Sequence, residues 1–84
     1  HELLGKKGTK GTLLALEKSP KKFNELLESL EQPRISRRTL ARRLRELENL
    51  GLIKRELPKK PPGVLYVLTP GGKQKIKLIK ELEK

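Results

Sequence analysis

The sequence has 84 residues, with 21 Lys and Arg against 10 acidic residues and a formal net charge of +11. A chain of this length forms one small domain, and its positive charge favours a polyanionic partner such as DNA, RNA or an anionic membrane surface. The absence of cysteine excludes disulfides and thiolate metal sites, and no apolar run approaches the ~20 residues that a membrane span requires.

The N-terminal stretch is rich in glycine and lysine. We expect residues 1–8 to form a flexible segment and residues 9–84 to form the domain. His1 begins a chain that contains no methionine, so we interpret the sequence as carrying a tag remnant or as an excised fragment, and we assign His1 no chemical role. The glycines of residues 5–12 do not fit the spacing G-x-x-x-x-G-K-[ST], and no strand precedes them, so we expect a flexible lead-in rather than a phosphate-binding loop.

Two short helices are predicted next. Three leucines at positions 13–16 predict a first helix that ends near Ser19-Pro20, because proline disfavours helix in the residue before it. A second helix is predicted from Lys22 to Leu30, where apolar residues recur at i, i+3, i+4 and i+7. Lys21 and Lys22 lie at the start of this helix and oppose its dipole, which makes them candidates for phosphate contacts.

The third helix is predicted over about residues 36–50. Ser36 is a suitable N-cap because its hydroxyl can accept a hydrogen bond from an unpaired backbone N–H. Ile35 and Leu40 have the spacing of a hydrophobic staple around this cap. Gly51 is expected to end the helix in a left-handed conformation. The predicted apolar row of this helix consists of leucines: Leu40, Leu44, Leu47 and Leu50.

Arginines are concentrated on this third helix. Six of the seven in the chain lie at positions 34–45, and no acidic residue interrupts that window. At ~100° per residue, Arg38, Arg42 and Arg45 lie about 140° to 200° from the first leucine of the row, on the opposite face. The guanidinium group is a rigid donor fork suited to phosphate and to the guanine edge. A merely solubilising face usually mixes acids with bases at i,i+4, so we interpret this face as a nucleic-acid interface.

Three other arginines are assigned by position. Arg37 and Arg43 lie nearer the flanks of the leucine row, where they could reach the phosphates beside a groove. Arg34 precedes the helix and is a further candidate for a phosphate contact. The N-terminus of the helix adds backbone donors and a dipole that favours phosphate.

A β-hairpin is predicted after this helix. Leu52–Glu56 and Val64–Thr69 have the composition of strands, and a proline-rich loop over about residues 57–63 joins them. Lys59 and Lys60 lie at the tip of this loop, where they suit a phosphate or minor-groove contact. The alternative role for this lysine pair is protection of a strand edge.

The chain ends in a further helix. Thr69-Pro70 predicts its start, because proline at the first helical position loses no hydrogen bond. Two residues of the second hairpin strand are expected to face away from the core, and the last helix has an apolar side. Together they form a predicted dimer or partner surface, made of Leu65, Val67, Ile76, Ile79 and Leu82.

No combination of residues supports catalysis. Asp and Cys are absent, the only histidine is His1, and the serines have no plausible base. We expect a binding protein, not an enzyme, with no cofactor, no metal, no membrane partner and no small-molecule ligand. The predicted fold class is α+β: a winged helix-turn-helix with three helices, a two-stranded β-wing and a C-terminal helix.

Four segments carry a resemblance to a known family. Two are the more specific, namely L-L-A-L with S-P-K-K-F-N-E-L (13–26) and P-P-G-V-L-Y-V-L-T-P-G-G (61–72). The other two, I-S-R-R-T-L-A-R-R-L-R-E-L-E (35–48) and G-L-I-K-R (51–55), are also found in MarR-like and PadR-like proteins. From about Thr12 to Gly72, the chain resembles the HxlR-type winged-helix transcription regulators.

The resemblance implies a dimeric regulator whose third helix enters the major groove while the wing touches the adjoining DNA backbone. Gly11 stands where the family has a tryptophan, and the usual N-terminal cysteine is missing, which excludes redox sensing through a thiol. Ser36 and Arg45 are added to the predicted interface from the cap and the helical wheel. The positions that the resemblance places at DNA are Arg37, Arg38, Thr39, Arg42 and Arg43, with Lys59 and Lys60 in the wing.

The sequence therefore predicts a cytoplasmic, nucleoid-associated homodimer that binds double-stranded DNA sequence-specifically and regulates transcription. One alternative is a non-specific nucleic-acid-binding or architectural protein. Another is a winged-helix interaction module in a larger assembly, with the arginine face docked on an acidic partner. Single-stranded binding is disfavoured because Phe23 and Tyr66 are the only aromatic residues and both are expected to be buried.

Overall fold

Within residues 8–30, 35–60 and 63–82, which the computed structural model describes, the chain folds as four helices and a three-stranded antiparallel sheet. The predicted winged helix-turn-helix architecture is confirmed. Arg34, a predicted phosphate contact, lies outside the described residues. None of the helices in these three segments is both long and apolar enough to cross a membrane. The elements are α1 (Thr9–Lys18), β1 (Lys21–Lys22), α2 (Phe23–Ser29), α3 (Arg37–Asn49), β2 (Ile53–Glu56), β3 (Leu65–Leu68) and α4 (Pro70–Leu82).

The sheet contains one strand that the sequence did not predict. Lys21 pairs with Tyr66 and Lys22 pairs with Leu65, so β1 lies against β3, and the strand order is β1-β3-β2. The predicted two-stranded wing is confirmed as β2 paired with β3, and the second helix begins at Phe23, one residue after the predicted start, with Lys22 as its N-cap. Without β1, one side of β3 would expose unpaired backbone N–H and C=O groups. Helix α2 begins directly afterwards, and the backbone N–H of Lys22 donates to Glu25 Oε1 at 2.7 Å.

The glycine-rich stretch becomes helical from its middle onward. Gly8 has a left-handed φ of +88°, and α1 begins at Thr9. Thr9 and Thr12 are fully buried, and the Thr12 hydroxyl donates to the Gly8 carbonyl at 2.6 Å. A Cβ on Gly11 would lie 2.9 Å from Leu30 Cδ2, so glycine there lets α1 approach α2 closely. The expectation of a flexible lead-in is wrong from residue 9 onward, because this part of the stretch forms the first turn of α1 and packs into the fold.

The core is built from leucine and isoleucine side chains of all four helices and the sheet. Ile76 and Ile79 on α4 belong to it, with exposed fractions of 0% and 6%. Their prediction as a partner surface is therefore wrong, because α4 packs against α1. An ion pair between Lys80 and Glu17 (3.0 Å) also joins the two helices. Leu82, by contrast, is 83% exposed.

Helix α4 begins where the chain passes close to the end of α3. The Thr69 hydroxyl accepts a hydrogen bond from the backbone N–H of Gly72 at 3.0 Å, which confirms the predicted start at Thr69-Pro70. A Cβ on Gly72 would lie 2.1 Å from the carbonyl oxygen of Leu52. No other residue type has room there, so this glycine sets the approach of α4 to the start of β2.

Candidate nucleic-acid interface

The start and end of α3 are fixed by local interactions. The Ser36 hydroxyl accepts from the backbone N–H of Thr39 at 3.1 Å and donates to the Thr39 hydroxyl at 3.0 Å. Ile35 and Leu40 are both buried, as a hydrophobic staple requires. Gly51 follows the helix with a φ of +75°. The predicted N-cap and the predicted left-handed stop are confirmed. The hydroxyl groups of Ser36 and Thr39 are hydrogen-bonded to each other.

The buried face of α3 is a row of three leucines. Leu40, Leu44 and Leu47 have exposed fractions of 0%, 2% and 0%. Leu50 was predicted to continue the row but is 51% exposed, because the helix ends at Asn49 and Leu50 serves as its C-cap. The leucine row holds α3 against the core and thereby fixes which side chains face solvent.

Three arginines occupy the opposite face of α3. Arg38, Arg42 and Arg45 are all exposed, as the helical wheel predicted. Within the part of the chain that the structure describes, none of the three has a hydrogen bond or an ion pair. Each guanidinium therefore keeps its five N–H donors available for a ligand. We call these three residues the arginine face.

The remaining described arginines near this face have partners within the chain. Arg43 forms an ion pair with Glu46 on its own helix, and its side chain is only 12% exposed. Arg55 on β2 forms an ion pair with Glu48 at 2.7 Å. The glutamates after the arginine window thus neutralise cations outside the arginine face and leave its charge uncompensated. Arg43 was predicted at DNA, but the structure does not bring it to the exposed face.

Arg37 occupies a third environment, at the junction of α2 and α3. It is exposed, and its Nη1 donates to Asn24 Oδ1 at 2.9 Å. Its guanidinium carbon lies 6.0 Å from the centre of the Phe23 ring. Sequence reasoning missed Asn24, because no local spacing rule links two residues that lie 13 positions apart.

The wing loop presents the two predicted lysines. Lys59 and Lys60 are both exposed. The carbonyl oxygen of Lys60 accepts from Lys22 Nζ at 3.3 Å, so the Lys22 side chain reaches the wing loop. Lys21 donates through Nζ to the Ser19 hydroxyl at 2.9 Å. The structure thus brings Lys22 to the wing, and both lysines are half-buried in β1, directly before the start of α2.

The two aromatic residues are half-buried and pack against the core. Burial raises the pKa of the Tyr66 phenol, the Glu48 carboxylate raises it further, and Arg55 acts in the opposite direction. Phe23 and Tyr66 were expected to be buried, and the structure buries both of them only in part.

The predicted partner surface is divided by the structure. Leu65 and Val67 are half-buried on the sheet, whereas Leu82 and the neighbouring Leu78 on α4 are 83% and 48% exposed. Leu78 was not among the predicted residues, although it lies one helical turn before Leu82. The exposed apolar surface of α4 consists of Leu78 and Leu82, which we call the α4 leucine pair.

Known proteins share this sequence and this fold. A family model described as HxlR-like helix-turn-helix matches residues 3–84. The HTH-type transcriptional regulator YodB from Bacillus subtilis is 41% identical over 71 residues, covering 83% of this chain and 62% of that protein. An uncharacterized HTH-type transcriptional regulator from Methanothermobacter thermautotrophicus is 40% identical over 80 residues, covering 94% and 60%. The structure of reduced YodB has a TM-score of 0.86 at 36% identity, covering 98% of this chain and 79% of that chain. The chain spans about three fifths of the length of these two curated relatives.

Proposed function

The chain belongs to the HxlR-like helix-turn-helix family, and from this premise we propose that it regulates transcription by sequence-specific binding of double-stranded DNA. The resemblance found in the sequence is confirmed by the family match and by relatives named as HTH-type transcriptional regulators. Because the chain spans only part of the length of those relatives, the activity of the whole protein is part of this proposal.

The observation that carries the proposal is the arginine face. Arg38, Arg42 and Arg45 are exposed and unpaired within the described residues, and they stand opposite a leucine row that fixes the helix. The major groove is about 12 Å wide and admits an α-helix, and arginine binds guanine O6 and N7 with two parallel hydrogen bonds. In the proposed complex, α3 lies in the major groove and these three side chains reach the base edges.

Contacts to the DNA backbone complete the proposed complex. Lys59 and Lys60 of the wing lie exposed, where they suit the phosphates beside the groove that α3 enters. Arg37, at the first position of α3, suits a phosphate on the flank of the helix. Such contacts carry little sequence information but supply affinity through the release of counterions.

The proposal includes a homodimer on a two-fold DNA site in the cytoplasm, at the nucleoid. The α4 leucine pair exposes apolar area that a second copy could cover. In a two-fold interface both subunits use the same patch, so each leucine contributes once from each subunit. Two helices would then read half-sites about 34 Å apart. Since these 84 residues contain no cysteine, a thiol within them cannot carry a redox signal.

The experiment that tests this function is selection of binding sites from random duplexes at a physiological salt concentration of about 150 mM. We expect a recovered motif with two-fold symmetry and half-sites separated by about one helical turn. A pool that stays random while the protein retains duplex DNA would identify non-specific binding instead. Failure to retain any duplex at this salt concentration would favour the reading in which the arginine face docks on an acidic protein.

A further inference from the structure

The arginines on α3 differ in how far neighbouring residues restrict the movement of their guanidinium groups. The arginine face has no partner within the described chain, whereas Arg37 is held from two sides. Asn24 Oδ1 accepts from one of its guanidinium nitrogens at 2.9 Å, and the Phe23 ring lies beneath the guanidinium carbon at 6.0 Å. Phe23 itself packs against the core, so the platform under this guanidinium is fixed.

The hydrogen bond from Arg37 to Asn24 uses little of the binding capacity of either group. Arg37 uses an N–H of one nitrogen, and its other guanidinium N–H groups have no partner among the described residues. Asn24 accepts through its carbonyl oxygen, which leaves its own NH₂ group as a donor on the same exposed surface. The donors of Arg37 and Asn24 therefore lie side by side at the junction of α2 and α3, and neither side chain carries a negative charge that would repel a phosphate.

We propose that Asn24 is a positioning residue that fixes the Arg37 guanidinium as a clamp for a phosphate of the DNA backbone, an inference that rests on the proposed DNA binding. An arginine that must be ordered on binding loses side-chain freedom, which weakens the complex. Asn24 imposes this order before DNA arrives. Because the clamp is anchored on α2 as well as α3, it also fixes the orientation of both helices relative to the DNA backbone.

The first test measures order in the free protein. In the full chain, the ¹⁵Nε order parameter of Arg37 is expected to exceed that of Arg42, which has no partner in the described residues. Asn24→Ala should lower the value for Arg37 toward that of Arg42, since only the Phe23 contact remains, without moving the value for Arg42. Equal order at Arg37 with and without Asn24 would overturn the positioning role, whatever the protein binds.

The second test is a double-mutant cycle on DNA affinity. The probe is a fluorescein-labelled duplex of arbitrary fixed sequence, since a phosphate clamp does not depend on sequence, and affinity is measured by anisotropy against KCl concentration. Asn24→Ala should weaken binding by about two- to tenfold. Arg37→Ala should weaken it and lower the salt slope by about one. In the Arg37→Ala background, Asn24→Ala should have no further effect.

The matched control is the same cycle with Arg45→Ala, because Arg45 lies eight positions further along α3, which is about 12 Å. Asn24→Ala and Arg45→Ala should be additive. An equal loss from Asn24→Ala in the wild-type and Arg37→Ala backgrounds would overturn the clamp, and a lowered Tm beside it would mark Asn24 as a purely structural residue. A wild-type chain that binds no duplex in low salt would overturn the proposed function, and the order parameters would still report the contact itself.

Discussion

At the scale of single residues, arginines of identical chemistry differ in what their neighbours leave available. Arg43 has its charge neutralised by Glu46 and its side chain largely covered, whereas Arg42, the adjacent residue, is exposed and unpaired within the described chain. Glu46 lies at i+3 from Arg43 and at i+4 from Arg42, so helix spacing allows it to reach either arginine, and in the structure its ion pair is with Arg43. The density of arginine in the sequence therefore overstates the number available to DNA.

The first prediction separates base contacts from backbone contacts. On the duplex recovered by site selection, Arg42→Ala should lose about 1–3 kcal/mol of discrimination against random duplexes, because a base-reading fork is removed. Lys60→Ala should weaken binding to both duplexes alike and lower the salt slope by about one, because only a phosphate contact is lost. Titrations of both variants on both duplexes measure this, and equal losses on specific and random DNA for Arg42→Ala would contradict it.

At the scale of elements, the meeting of α4 with the start of β2 depends on one close approach. Gly71 and Gly72 stand next to each other in the first turn of α4 and each faces a backbone carbonyl oxygen, but only at Gly72 is that oxygen too close for a Cβ. A Cβ on Gly71 would have an ordinary contact of 3.5 Å with the Gly51 carbonyl oxygen, compared with 2.1 Å between a Cβ on Gly72 and the Leu52 carbonyl oxygen. Substitution of Gly71 by alanine is therefore a suitable control for the same substitution at Gly72.

The second prediction uses this pair. Gly72→Ala should lower the free energy of unfolding by about 3 kcal/mol, because α4 must shift away from β2. Gly71→Ala should raise it by about 0.5–1 kcal/mol, because alanine is the better helix former and restricts the unfolded chain. Urea denaturation with an unchanged m-value measures both. Effects of the same sign at the two positions would contradict the described packing.

How much of the fold and of the candidate interface could be predicted from the sequence depends on whether each interaction is local in sequence. The Ser36 cap, the Gly51 stop and the Leu40–Leu47 row arise within one helix and its flanks, so the sequence pattern was sufficient to predict them. Strand β1 could not be found in this way, because its two lysines become a strand only through pairing with β3. The bond of Arg37 to Asn24 likewise requires α2 and α3 to be placed first.

At the scale of the whole molecule, the two exposed surfaces of interest lie on different helices. The arginine face lies on α3, and the α4 leucine pair lies near the C-terminal end of α4. Burial of Ile76 and Ile79 in the core removes most of the apolar side of α4 from any interface. The homodimer proposal therefore depends on a small contact, which a single substitution should weaken strongly.

The third prediction concerns that contact. Leu82→Glu should raise the dimer dissociation constant by at least about a hundredfold, since a two-fold interface loses two buried leucines at once. Leu57→Glu is the matched control, because Leu57 is 89% exposed on the wing rather than on α4. Sedimentation equilibrium without DNA measures both variants. A stable wild-type monomer at high protein concentration would contradict the homodimer through α4.

The most direct test of the proposed interface compares two variants that lose the same charge. One replaces Arg38, Arg42 and Arg45 by alanine, and the other replaces the exposed lysines Lys18, Lys73 and Lys77 on α1 and α4. At about 150 mM salt, charges more than about 8 Å from DNA are largely screened, so the lysine variant should lose less than about tenfold in duplex affinity. The arginine variant should lose at least about a hundredfold, because three base-reading forks disappear together. Equal losses in the two variants would show that total charge, and not the arginine face, holds the DNA.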